Sequence, residues 1–136
     1  MSLTNHEKYT KWASAAWEDI LTAEAMLQSR RLSYVAFLCQ QSMEKLAKGL
    51  HVLHIGQEAP YTHKINIVLK DIGAVASADE YNEYKVFFNE LTAYYIVGRY
   101  DVYKQQIAQD LTAAECEAMI EKTKEAFSWL QSHVKQ

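Results

Sequence analysis

The run Tyr94-Tyr95-Ile96-Val97-Gly98-Arg99-Tyr100-Asp101 concentrates more chemistry in fewer residues than any other part of this chain. An aromatic-rich helical pattern stops at a glycine and at once presents an arginine, a tyrosine and an aspartate. A guanidinium stays charged at every physiological pH and offers a planar fork of donors matched to phosphate or carboxylate. The tyrosines beside it, Tyr95, Tyr100 and Tyr103, are suited to stacking on a base or hydrogen-bonding at their hydroxyls. Arg99 with these rings and Asp101 therefore forms the first candidate site, with chemistry suited to a nucleotide or an RNA backbone.

A second polar group lies upstream in Gln40-Gln41-Ser42-Met43-Glu44-Lys45-Leu46-Ala47-Lys48. Helical spacing sets Gln41, Glu44, Lys45 and Lys48 along one flank, where Glu44 reaches Lys48 and Gln41 reaches Lys45 at i,i+4. Gln41, Lys45 and Lys48 then make the polar wall of a groove whose other side is Arg99 and its tyrosines. A metal is not expected. No glutamate is followed three residues later by a histidine, as di-iron helical bundles require, and H-E-x-x-H is absent. His51 and His54 sit one helical turn apart with His63 beyond the next loop, and they read as ordinary boundary histidines rather than ligands. No glycine-rich phosphate loop or nucleophile elbow occurs, and with 4 glycines there is little material for one.

The elements that position these residues are helices. Ala13, Ala16, Ile20, Ala23 and Leu27 recur at steps of three and four through a first helix over about 9–29, with Trp12 and Trp17 beside the stripe. Ser33 is a suitable N-cap for a second helix to about Ile55, with Ala36, Cys39, Met43, Leu46, Leu50 and Leu53 inside and Gly56 as its C-cap. Thr62 caps a shorter helix through Ile65, Val68, Leu69 and Ile72 that Gly73 closes. Ser77 or Asp79 starts a fourth, whose face of Tyr84, Phe87, Phe88, Leu91, Tyr94 and Tyr95 ends at Gly98. After a linker, Thr112-Ala113-Ala114-Glu115 is a capping box, and the last helix runs to about His133 over Cys116, Ile120, Thr123, Phe127 and Leu130. Four long helices, one short one and no strand signal predict an all-α fold, an antiparallel up-and-down four-helix bundle with one extra short helix. A chain of 136 residues forms one domain by size, over 1–136.

Composition narrows the partners. A formal charge of -3 is too small to steer the whole molecule to nucleic acid, so such binding must come from a local patch. Residues 30–70 are net basic and residues 71–98 net acidic, a dipolar arrangement that pairs with a partner or with a second copy. Cys39 and Cys116 sit in apolar helical patterns and read as core thiols in a reducing compartment. No apolar run approaches the length of a spanning helix and the polar start does not read as a signal peptide, so a cytoplasmic location without membrane contact is expected.

Three blocks carry a resemblance: Tyr34 to Leu50, then Pro60-Tyr61-Thr62-His63-Lys64-Ile65, then Tyr95-Ile96-Val97-Gly98-Arg99-Tyr100-Asp101. With an opening helix of the form Trp12-x-x-x-Ala16-x-x-Asp19-Ile20-x-x-Ala23, the chain resembles the HEPN family, named for higher eukaryotes and prokaryotes nucleotide-binding domains. The resemblance implies a four-helix bundle with a short extra helix and a homodimer. It also implies pairing with a minimal nucleotidyltransferase, in some relatives as toxin and antitoxin. Catalytic relatives are metal-independent endoribonucleases with an Arg-x(4–6)-His motif. Here Arg99 matches the arginine, but Lys104, Gln105 and Gln106 occupy the places of the histidine. A lysine at its normal pKa is a poor proton carrier at pH 7. The chain looks instead like the Arg-Tyr-Pro-Asp branch, with the proline missing between Tyr100 and Asp101.

The expected function is accordingly a noncatalytic, cofactor-free module that binds a nucleotide, an RNA segment or a nucleotidyltransferase partner. Arg99 would hold phosphate, Tyr95, Tyr100 or Tyr103 a base or ribose, and Gln41, Lys45 and Lys48 the flank. The first alternative is an endoribonuclease using Arg99 with His63 or Tyr103 as its base. The second is a structural protein whose exposed tyrosines assemble a complex.

Overall fold

The computed structural model describes residues 2–98, 100, 106 and 109–134. Its elements, in order, are α1 (Asn5–Gln28), α2 (Leu32–Ile55), α3 (Ile65–Leu69), α4 (Gly73–Ala76), α5 (Tyr81–Gly98) and α6 (Ala113–Gln131), and the described residues contain no strand. The fold is all-helical, with four long helices and two short ones.

α1 begins earlier than its apolar period suggests. Thr4-Asn5-His6-Glu7 is a capping box, with the Thr4 hydroxyl accepting from Glu7 N–H and the Glu7 carboxylate accepting from Thr4 N–H. The helix ends in a Schellman turn: Arg30 N–H donates to Leu27 O and Arg31 N–H to Met26 O, with Arg30 in the left-handed region at φ 61°. That turn delivers the chain straight into α2 at Leu32, so the N-cap position falls on Arg31 and Ser33 lies inside the helix. Gly56, at φ 84°, ends α2 as anticipated. Gly73 does not close α3, which stops at Leu69; it opens the short α4. Thr112 and Glu115 form the expected capping box at the start of α6.

The core is built around α2, which packs against α1, α3, α5 and α6. Val35, Ala36, Cys39, Met43, Leu46, Ala47 and Leu50 are all buried, so the helix presents apolar surface on most of its circumference. Burial of each larger aliphatic side chain contributes roughly 1.5–3 kcal/mol before the cost of ordering the chain. Small residues let α1 approach closely: Ala13, Ala16 and Ala23 are buried with Ile20, and the buried Ser42 hydroxyl of α2 donates 2.8 Å to Ala16 O. Gly49 is the tightest point. A Cβ placed there would lie 2.8 Å from Trp12 Cβ and 3.2 Å from Tyr9 Cδ1.

α5 lies on the other side of α2, burying Phe87, Phe88 and Leu91, while Tyr84, Tyr94 and Tyr95 are half-buried at its margins. α3 is tied to it by Asn66, which accepts from the Tyr81 hydroxyl at 2.7 Å and donates to Lys85 O and Asn89 Oδ1. α6 closes the remaining face with Cys116, Ile120, Phe127 and Leu130, and Trp17 of α1 meets Phe127 edge-on. No described helix is long and apolar enough to cross a membrane.

Candidate functional site

The most polar part of the interior lies where α2, the segment before α3 and the second half of α5 come together. Its centre is Glu44, on the second half of α2 and only 6% exposed. One carboxylate oxygen accepts from Lys48 Nζ at 2.9 Å, one turn further along the helix. The other accepts from Gln40 Nε2 at 2.9 Å and faces His63 Nδ1 at 3.1 Å. Burial opposes the negative charge, but the Lys48 ammonium, the Gln40 amide and the His63 ring outweigh it. They hold the Glu44 carboxyl below its ordinary value of 4.5.

Gln40 is fully buried and has a second task. The same Nε2 donates 2.9 Å to the backbone carbonyl of His63, while its Oε1 accepts from Gln41 Nε2 at 2.8 Å. Buried amides need such partners, and here the need fixes a loop to a helix across 23 residues. The turn is tightened by Thr62, whose hydroxyl accepts from Lys64 N–H. His63 is thus clamped at both its backbone and its ring. With Glu44 on Nδ1, the neutral ring carries its proton there and Nε2 is an acceptor; the imidazolium presents Nε2–H as a donor.

Aromatic rings continue from the imidazole. His63 lies 4.6 Å from Tyr95, centroid to centroid, and Tyr95 stacks on Phe37 of α2 at 5.3 Å and 21°. On the outer side Tyr61 stands edge-on to His63 at 6.2 Å. Tyr61 is 97% exposed.

A family model for the HEPN domain matches residues 9–133. The chain belongs to the HEPN domain family. No curated protein and no solved structure matches it. Membership links the chain to nucleotide- and RNA-related functions.

Within this HEPN domain the expected site residues divide into three groups. Tyr95, Gln41 and Lys48 join the Glu44–His63 network, Tyr95 through its ring contacts and the other two through Gln40 and Glu44. Lys45 turns the other way: its Nζ lies 2.8 Å from Oδ2 of Asp19 on α1, at an angle outside hydrogen-bond alignment, so the pair is held by charge alone. The anticipated Gln41–Lys45 contact is replaced by these two pairings, whereas Glu44–Lys48 forms as expected. Tyr100 is exposed, its N–H donating to Val97 O. Arg99, Asp101 and Tyr103 lie outside the described residues; Arg99 follows Tyr95 by four positions, one helical turn in sequence terms.

Gln40, Phe37 and Tyr61 are the members of the HEPN site that the spacing argument passed over. A signal for Gln40 existed in its i,i+4 relation to Glu44 on an otherwise apolar helix face. Tyr61 gave none, since its link to the site runs through a tertiary contact.

The other histidines are separated from this centre. His51 Nδ1 faces Gln57 O at 3.0 Å and His54 Nε2 faces His133 O at 2.8 Å, so the three rings are engaged at three different places. Among the described residues no three histidine, cysteine, aspartate or glutamate side chains are grouped to hold a metal ion.

Proposed function

We propose that this HEPN domain is a noncatalytic module that binds a nucleotide or an RNA segment at the junction of α2, the segment before α3 and the end of α5. The observation that supports it is His63, half-exposed and oriented on a buried carboxylate, beside a ring of α5 that leads one turn later to Arg99. Such an arrangement combines a hydrogen-bonding imidazole, a guanidinium and π-faces, which are the groups that recognise phosphate and unpaired bases. Lys45 and Lys48 are already neutralised by Asp19 and Glu44, so Arg99 carries the phosphate contact and the two lysines act through structure. A charge-assisted contact is worth about 1.5–3 kcal/mol, which makes Arg99→Ala weaken binding about tenfold or more.

The test is a calorimetric titration of wild-type, Arg99→Ala and His63→Ala protein with ATP and with a short single-stranded RNA, the RNA being recovered and examined for cleavage. Binding that depends on Arg99 without cleavage supports the module. Equal binding by wild type and Arg99→Ala removes the site.

The Glu44–His63 hydrogen bond favours one second reading, an endoribonuclease in which His63 moves the proton at the ribose 2′-hydroxyl. A carboxylate on Nδ1 orients an imidazole and stabilises its protonated form, the role such pairs play in acid–base catalysis. That reading requires cleavage lost in both His63→Ala and Arg99→Ala. The exposed strip Val86, Ile96 and Val97 on α5 favours association with a second copy or with a nucleotidyltransferase partner. A change in oligomeric state on Val86→Lys substitution tests it.

A further inference from the structure

We infer that Tyr61 is a base-stacking residue: it receives an unpaired nucleobase on its exposed face, at the outer end of an aromatic series that continues through His63 and Tyr95 to Phe37. The inference rests on the reading of this junction as a nucleotide or RNA site and adds how the base is held. Tyrosine normally buries most of its ring, because the ring is a large apolar surface with one polar tip. Tyr61 buries almost none, at 97% exposed.

The backbone beneath it is nevertheless held at several points. Pro60 restricts the residue before it, the Thr62 hydroxyl accepts from Lys64 N–H, and the carbonyl of His63 accepts from the fully buried Gln40. The ring is therefore a fully accessible π-face mounted on a fixed support. Tyr61 and His63 stand 6.2 Å apart with planes at 61°, an open corner in which a base lying on Tyr61 turns its edge toward the imidazole. His63 in turn meets Tyr95 at 4.6 Å. Stacking of this kind tolerates any base, since every base has a π-face, so the preference expected is for unpaired over paired nucleic acid.

The experiment compares wild type, Tyr61→Ala, Tyr61→Phe and Arg99→Ala in binding to a short oligouridylate, ATP and inorganic triphosphate, with circular dichroism on each variant. The exposed position makes loss of folding in Tyr61→Ala unexpected. Loss of one stacked base weakens binding about five- to 100-fold. The expected result is that Tyr61→Ala loses this much affinity for the oligouridylate, keeps triphosphate binding unchanged, and is rescued by Tyr61→Phe. A matching loss for ATP assigns a free nucleotide's base, and a loss confined to the oligouridylate assigns a strand. If Tyr61→Ala binds every ligand as wild type does while Arg99→Ala is weakened, the stacking role is overturned and the nucleotide site stands. If wild type binds none of the three, both are overturned.

Discussion

His63 Nδ1 lies 3.1 Å from Oε1 of Glu44, a contact between a loop and the middle of a buried helix that spans 19 residues of sequence. Two further donors, Lys48 and Gln40, converge on the same carboxylate. Removing it strands a largely buried ammonium and loosens the imidazole in one step. Glu44→Ala is expected to cost about 3 kcal/mol, the range for breaking a buried ion pair on one side. Urea unfolding of the two proteins measures it, and a loss under about 1 kcal/mol would mean that the network is solvated.

The same carboxylate makes stability depend on pH in a defined direction. The folded-state value of Glu44 is depressed below 4.5, so its contribution is complete above that pH and drains away as pH falls through the lower folded-state value. Glu44→Gln carries no such titration. The stability gap between wild type and Glu44→Gln is expected to be level above about pH 5 and to narrow below it. Thermal melts of both proteins at stepped pH decide the point; a gap that widens on acidification contradicts it.

Gly49→Ala tests the closeness of α1 and α2. In an exposed helix interior this substitution stabilises by about 1 kcal/mol. Here the new Cβ meets Trp12 Cβ at 2.8 Å, and that atom sits next to the backbone and cannot swing away. Forced overpacking costs roughly 1–3 kcal/mol, so the net change is expected to be destabilising, with a lowered midpoint in denaturant.

Arg30→Gly is expected to act in the opposite sense. Arg30 holds φ 61° at the Schellman turn, a conformation that costs an L residue roughly 1–2 kcal/mol. Glycine removes that cost but adds freedom to the unfolded chain. A net gain of about 0.5 kcal/mol is expected, read from the denaturation midpoint.

The two thiols are expected to be silent in the folded protein. Burial pushes Cys39 up to about 12 despite a hydrogen bond with Thr123, and burial also raises Cys116. Both side chains are inaccessible. An aromatic disulfide reagent at pH 8 is expected to label neither thiol until denaturant is added, because the reactive species is the exposed thiolate.

The helical class and most of the core faces were legible because a period of 3.6 is written in consecutive residues. Ala13, Ala16, Ile20 and Ala23 of α1, and Cys39, Met43, Leu46 and Leu50 of α2, are buried as their spacing predicts. Boundaries were less legible where two signals competed. Ser33 is a good cap in isolation, yet the turn after α1 already sets the start of α2. The site was legible only along one helix at a time. Glu44–Lys48 follows from i,i+4 geometry, but whether Lys45 reaches Gln41 or Asp19 depends on how α2 is rotated against α1. The meeting of His63 with Glu44 and Tyr95 depends on where a loop returns, which no local spacing encodes.

α2 buries core side chains on most of its surface and also carries Gln40, Glu44 and Lys48. In a saturation-mutagenesis selection, substitutions along this helix would be depleted whether cells are sorted for protein abundance or for activity, leaving the two causes of loss indistinguishable. Tyr61 sits outside that overlap. Variants there would persist in the abundance sort, so depletion under an activity sort alone would report on function undistorted by folding.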